Sequence, residues 1–329
     1  NKLNSIHSVN YSNRYWRILI GPWLFGFITV IYDRWCSIES AIASFDISET
    51  IILDYSLEES IPQNMKHYLI LSKSDEWNHF IYSLILKKIA ISNPIDLKLQ
   101  TYRNSIPGIP VEPQSIRKRI AQAVSGISTF FSKKNDNFII GSSLNKLDLF
   151  KLQIKLFQFP SLYSIPNIPE KITPVISERK WKLSSFGEVS AFERFLRDMI
   201  PLQIPTIYLE GFHNLRDQSF NIGWPKEPRL IWTSTVFYDE DLFKIWAADK
   251  AEEGKPLLIG QHGGHYGIGL FDLVEKHELK ICDYYLSWGS KRTKEKIIPT
   301  GISKRYKKGV KKKNALLVVA STSRYVTSM

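Results

Sequence analysis

Two hydrophobic periods share this chain, one of 3.6 residues in long stretches and one of short apolar runs between turn residues. The most apolar stretch, residues 18–32, has fifteen positions without a charge, between Arg14-Tyr15-Trp16-Arg17 and Asp33-Arg34-Trp35. A membrane span needs about 20 such residues. Residues 11–43 are therefore predicted to form a buried helix, kinked near Gly21-Pro22, where proline removes a hydrogen bond. The charges at its ends read as structural pairs; an arginine there also suits carboxylate or phosphate recognition. Residues 75–91 place Trp77, Phe80, Ile81, Leu84 and Ile85 at helical spacing, a core-facing stripe. Residues 115–131 and 145–157 also read as helices. Residues 186–199 form an amphipathic one, with Phe192, Phe195, Leu196 and Ile200 on one side.

Short apolar runs at 50–53, 138–140, 204–209, 230–233, 257–260, 283–288 and 315–320 read as strands. Gly141-Ser142-Ser143 is a turn and a second place for an anion. Residues 104–113 and 161–174 are proline-rich connections, and residues 298–301 an exit loop. From residue 230 the rhythm is regular. Asp239 is a plausible N-cap for a helix through Glu253 that Gly254 ends, and residues 270–279 form the next helix. Strands alternating with helices imply right-handed βαβ crossovers and a parallel, buried sheet, hence an α/β fold.

The strand at 257–260 empties into Gln261-His262-Gly263-Gly264-His265-Tyr266-Gly267. Ligands of open α/β sheets bind outside the carboxyl ends of the strands. The glycines permit positive φ and close backbone approach, the following helix opening offers amides to an anion, and two imidazoles can move protons near neutral pH. The same residues also suit a simple turn with packed or capping histidines. The loop is neither a P-loop nor a G-x-G-x-x-G dinucleotide fingerprint. Glu210, beside Gly211 after the run at 204–209, is a second candidate, to be weighed against a local cap or ion pair.

Composition changes the picture in two places. The chain's net charge of +12 is concentrated: residues 291–313 hold eleven Lys or Arg and one acid, leaving about neutrality elsewhere. That segment reads as a solvated linker, or as a basic surface facing nucleotide phosphates or anionic lipid. Nucleic acid is not indicated, for zinc fingers, RNP-type aromatics and helix-turn-helix patterns do not stand out. Two distant cysteines, Cys36 and Cys282, fit a reducing compartment and the cytoplasm. With no initiator Met at one end and a strand without its covering helix at the other, the chain reads as a fragment. The expected units are residues 1–303, a basic linker at 304–313, and the opening of a second domain at 314–329.

The blocks Arg14-Tyr15-Trp16-Arg17-Ile18-Leu19-Ile20-Gly21-Pro22-Trp23-Leu24 and Tyr32-Asp33-Arg34-Trp35 resemble the N-terminal signature of a transferase family encoded in bacterial O-antigen and other surface-polysaccharide gene clusters. Tyr208-Leu209-Glu210-Gly211-Phe212, residues 260–267 and Tyr285-Leu286-Ser287-Trp288-Gly289 match its later blocks. The histidine loop is also similar, more distantly, to one in transferases of the acidic sugar Kdo. The resemblance implies a GT-B-like glycosyltransferase: an N-terminal, acceptor-side Rossmann-type domain with helical insertions, and a C-terminal, donor-side domain truncated here.

The reaction so implied moves a sugar from a nucleotide sugar to a lipid-linked or saccharide acceptor. His262, Glu210 and His265 are the candidate catalytic residues, His262 or Glu210 as acid or base or a carboxylate as nucleophile. Gln261, Gly263, Gly264, Tyr266, Gly267 and Arg324 are the candidate substrate and phosphate contacts. The resemblance calls for no metal or other cofactor. The basic segment 291–313 would give a peripheral contact with anionic membrane, on the inner face of the bacterial inner membrane. Three rivals stand beside this reading: a sugar-nucleotide epimerase or polyol-phosphate transferase, a metal hydrolase built on His262, His265 and His213, and a non-catalytic scaffold subunit of a polysaccharide assembly complex.

Overall fold

The computed structural model describes residues 2–91, 94–101, 105–109, 125–126, 130–166, 171–184, 187–270, 272–289, 296–301, 324–325 and 327. The predicted helix at 115–131 lies almost wholly outside these residues. The strand at 315–320 and nearly all of the basic segment 291–313 lie outside them as well.

Helix α1 (Lys2–His7) leads into α2 (Asn13–Ser44). Then come β1 (Glu49–Asp54), α3 (Leu57–Ser60), α4 (Met65–Leu71), α5 (Asp75–Ile89) and β2 (Asp96–Thr101). The second half holds β3 (Phe138–Ile139), α6 (Lys146–Lys155), α7 (Ala191–Gln203), α8 (Phe212–Phe220) and β4 (Ile231–Thr233). It closes with α9 (Asp241–Glu252), β5 (Leu257–Gly260), α10 (Leu273–Ile281), β6 (Tyr284–Ser287) and β7 (Ile297–Pro299).

Five strands form one parallel sheet in the order β3-β4-β5-β6-β7. Because each strand is laid beside its predecessor in one direction, right-handed crossovers put their helices on a single face. Helices α9 and α10 both pack against α2, which forms a further layer. This order qualifies the expectation of a sheet buried on both faces. All of β5 is buried, but Tyr284 on β6 and Ile298 on β7 are exposed.

Helix α2 is the scaffold. Ser12 caps it, its hydroxyl accepting from the Tyr15 amide, and is itself held by Glu252 through its own amide and hydroxyl. Twelve of its residues are buried, among them Tyr15, Leu19, Trp23, Phe27, Ile31 and Trp35, spaced as one helical stripe. By length and composition α2 would cross a bilayer. Its stripe is instead filled by α4, α5, α7, α9 and α10. The helix continues through Pro22. Gly21 allows close approach of α10: a Cβ there would lie 2.4 Å from His277 Cε1. Among the charges at its ends, Arg14 pairs with Asp283 and the buried Arg34 with Asp33 and Asn78.

Three sequence expectations are revised, and one strand that the sequence reading did not include is present. Residues 204–209 are not a strand: Thr206–Tyr208 is a turn of 3-10 helix. Pro205 has no amide to give a ladder, and the Thr206 and Ile207 amides donate to the Pro62 and Gln63 carbonyls. The expected exit loop contains a strand, β7, paired with β6 and outermost among the described strands, with Pro299, which has no amide to give, at its end. Strand β2, whose Leu97 and Leu99 alternate with polar residues, pairs in parallel with β1 in a separate two-stranded sheet. Asp239 does not cap α9. The helix begins at Asp241, and its cap position, Glu240, makes no side-chain capping bond. Gly254, at φ 82°, does follow the end of α9 as expected.

Candidate functional site

The carboxyl end of β5 is fixed by Gln261. Its amide donates to the Leu286 carbonyl at 2.8 Å, its side-chain oxygen accepts from the Trp288 amide at 2.9 Å, and its side-chain nitrogen donates to the Gly263 carbonyl at 2.8 Å. Two of these bonds tie the loop to β6 and the residue after it, and the third folds the loop back on itself, so Gln261 positions the loop. Of the three loop glycines only Gly267 has positive φ, at 78°. A Cβ on Gly263 would sit 2.8 Å from the His265 ring, whereas one on Gly264 would meet nothing within 4 Å. Gly264 is thus the place where bare backbone faces open space.

His262, Tyr266 and Glu278 converge behind this loop. The Tyr266 hydroxyl donates to Glu278 Oε1 at 2.9 Å and stands 3.1 Å from His262 Nε2 and 3.3 Å from Nδ1. His262 Nδ1 is 3.5 Å from Glu278 Oε1. The imidazole is 29% exposed and the carboxyl group 0%. Desolvation raises the Glu278 carboxyl to about 8. The Tyr266 and Tyr285 hydroxyls offset this in part, and the carboxylates of Asp272 and Glu275 add to it. Burial also pushes the Tyr266 phenol up, and the nearby Glu278 reinforces it. At neutral pH the interior end of this chain is therefore a neutral carboxylic acid and a neutral phenol. Phe237 closes one side of His262, its ring centroid 6.2 Å away.

Glu278 was not singled out from the sequence. The available signal was an acid at the 274-278-281 spacing, in the buried stripe of α10 with Val274 and Ile281.

His265 belongs to the rim. It is 65% exposed, stacks on Tyr266 with centroids 4.5 Å apart, and places Nε2 3.1 Å from Asp272 Oδ2. The opening of α10, expected to receive an anion, already holds carboxylates. Asp272 accepts from the Glu275 amide at 2.9 Å, and Glu275 accepts from the Gly267 amide at 3.2 Å. These acids disfavour a phosphate there.

The remaining candidates lie elsewhere. Glu210 is buried in a two-pronged ion pair with the buried Arg179, at 2.7 Å to Nε and 2.6 Å to a terminal nitrogen, and also accepts from the Val175 amide. Arg179 further donates to the carbonyls of Pro201, Leu202 and Ile204. Both Glu210 oxygens are committed, so the carboxylate ties residues 175–179 to the turn at 210, the setting of the local ion pair weighed against catalysis for this residue. Arg324 pairs with Asp75 at 3.4 Å, at the opening of α5, and touches Tyr325. His213 packs against His7 and Phe212. Among the described residues no group of three or more His, Cys, Asp or Glu is gathered as a metal site, so the three-histidine hydrolase lacks its ligand cluster.

One Asp-x-Asp spacing does occur in the chain, Asp239-Glu240-Asp241. Its second aspartate is buried against Lys244 at 2.7 Å and the Tyr208 hydroxyl at 2.5 Å, and also accepts from the Met65 amide. Glu240 pairs with Lys66 at 2.6 Å. Those partners hold the segment within the fold.

No curated protein and no solved structure matches the chain. Over residues 1–329 it matches the profile of a family described as LIC12162 family transferase, and the chain belongs to that family of transferases.

Proposed function

We propose that this transferase moves a sugar from a nucleotide-activated donor to a lipid-linked or saccharide acceptor in surface-polysaccharide synthesis, on a GT-B-like scaffold. The observation that carries the reading is the His262–Tyr266–Glu278 chain at the carboxyl end of a central parallel strand. In this reading His262 takes the acceptor hydroxyl proton as the new glycosidic bond forms. The bond from the sugar carbon to the phosphate oxygen breaks, and the phosphate leaves with the electron pair. The imidazolium holds that proton until it is released to solvent at the partly exposed edge of the ring, with Tyr266 and Glu278 holding the ring in place behind it. The open backbone at Gly264 gives the donor phosphates room to approach. The basic segment 291–313 serves as a further contact for donor phosphate or anionic lipid.

The test is the thermal shift of the full-length natural protein with CMP, CDP, UDP, GDP and dTDP, since a ligand that binds only the folded state raises Tm by mass action. A selective rise with one nucleotide supports the reading and names the donor class. A cooperative melt that none of them moves counts against it and turns attention to the scaffold role.

A further inference from the structure

Helix α6 is turned inside out relative to an ordinary surface helix. Its one buried residue is polar: Gln153 accepts from the Ser161 amide at 2.9 Å and donates to the Ser161 carbonyl at 3.2 Å. Its apolar residues Leu147, Phe150 and Ile154, spaced at i, i+3 and i+7, are 72%, 50% and 51% exposed. The face continues past the helix end. Phe157 is 94% exposed at φ 57°, Phe159 is half exposed, and Phe159 lies 5.1 Å from Phe131, which touches the 85% exposed Phe130. Five of the seven exposed phenylalanines of the described residues fall within 130–159. A soluble surface rarely gathers large apolar side chains in this way without a partner.

The charges around this face indicate the partner. Residues 130–162 contain five lysines (133, 134, 146, 151 and 155), all exposed. Against them stand two aspartates, Asp136, which is buried, and Asp148. Lysines flanking a stripe of Phe, Leu and Ile form the pattern of an interfacial helix, whose apolar face enters the acyl boundary while ammonium groups meet anionic headgroups. A second copy of the same face would bring like charges together.

We propose that α6 and the phenylalanine corner beside it dock this protein on an anionic lipid bilayer. The surface lies beside β3, where Asn137 and Gln158 are joined by hydrogen bonds. The proposal does not depend on which group is transferred.

The experiment is flotation of the full chain with phosphatidylcholine vesicles and with equimolar phosphatidylcholine–phosphatidylglycerol vesicles. It is repeated with Phe157→Glu combined with Phe130→Glu, and separately with Lys151→Glu combined with Lys155→Glu. All four positions are exposed, and an unchanged Tm checks that each variant is folded. The expected result is binding to the anionic vesicles that falls at least tenfold in both double variants, and weak binding to phosphatidylcholine alone. Binding of either folded variant within twofold of the unchanged protein overturns the proposal and assigns any lipid contact to other basic segments. Equal binding to both vesicle types overturns the charge argument. Concentration-dependent dimerisation that Phe157→Glu abolishes would assign the face to a second copy and overturn it as well.

Discussion

Tyr266 and Glu278 meet at 2.9 Å inside the protein, the phenol donating to a carboxyl group that burial holds up to about 8. A carboxyl group whose folded value lies above its ordinary value near 4.5 binds a proton that the unfolded chain has released. Its contribution is fully present below pH 4.5 and is lost as pH rises toward 8, with a slope of about 1.4 kcal/mol per pH unit. Glu278→Gln keeps the neutral shape without the ionisation. The Tm difference, variant minus unchanged protein, should therefore grow between pH 5 and pH 8 and level off above. A difference that stays flat across that range would mean that the carboxyl ionises as it does in water.

His262 is the exposed end of the same chain, and its removal should separate chemistry from folding. His262→Gln is expected to lower kcat by about 10²- to 10⁴-fold, the usual worth of a general acid or base, and to leave stability within about 1 kcal/mol because the ring is only partly buried. Tyr266→Phe should give a smaller loss of kcat. Steady-state kinetics with the donor that raises Tm provides the measurement. Undiminished turnover in His262→Gln would remove the imidazole from the mechanism.

Arg179 and Glu210 make the opposite prediction. Both are buried, and breaking such a pair from one side strands a charge, at a cost of about 3–5 kcal/mol. Glu210→Ala and Arg179→Ala should each lower the urea midpoint strongly. Enzyme that remains folded should turn over at near the unchanged rate. A stable Glu210→Ala protein with lost kcat would restore the carboxylate to the catalytic site.

The contrast between these two acids explains what was legible beforehand. Glu210 stood out because it follows an apolar run and precedes a glycine, but its partner Arg179 lies 31 residues upstream, and no local pattern announces a long-range ion pair. Glu278 was hidden by its setting in a helix rich in charge, where only its phase relative to Val274 and Ile281 marks it as buried. Strands β4, β5 and β6 were readable because their hydrophobic runs are short and bounded by turns. The run at 204–209 has the same look. Pro205 is the local sign against a ladder, and tertiary hydrogen bonds to Pro62 and Gln63 complete the turn there. The outward face of α6 runs against burial itself, so periodicity marks the helix without saying which side faces in.

Gly21 and His277 provide a last, independent check on how α2 meets α10. A methyl group at position 21 would lie 2.4 Å from His277 Cε1 and 3.0 Å from Nδ1. The ring has little room to retreat, being 6% exposed and flanked by Phe25 and Phe237 at 5.4 and 6.2 Å. Gly21→Ala should thus cost about 1–3 kcal/mol through overpacking. His277→Ala also destabilises, by leaving a cavity, but the two changes together should cost less than their sum, because the new methyl group enters the vacated space. The imidazole has a second signature. Burial, with the charges of Lys244, Arg17 and Lys280, holds it down to about 3. The folded state therefore gives up stability as pH falls from about 6.5 toward 3, where the unfolded chain takes up the proton. His277→Ala should flatten that acid limb while Gly21→Ala leaves it steep. Additive costs in urea unfolding, or an acid limb indifferent to His277→Ala, would show that the two helices do not meet through this contact.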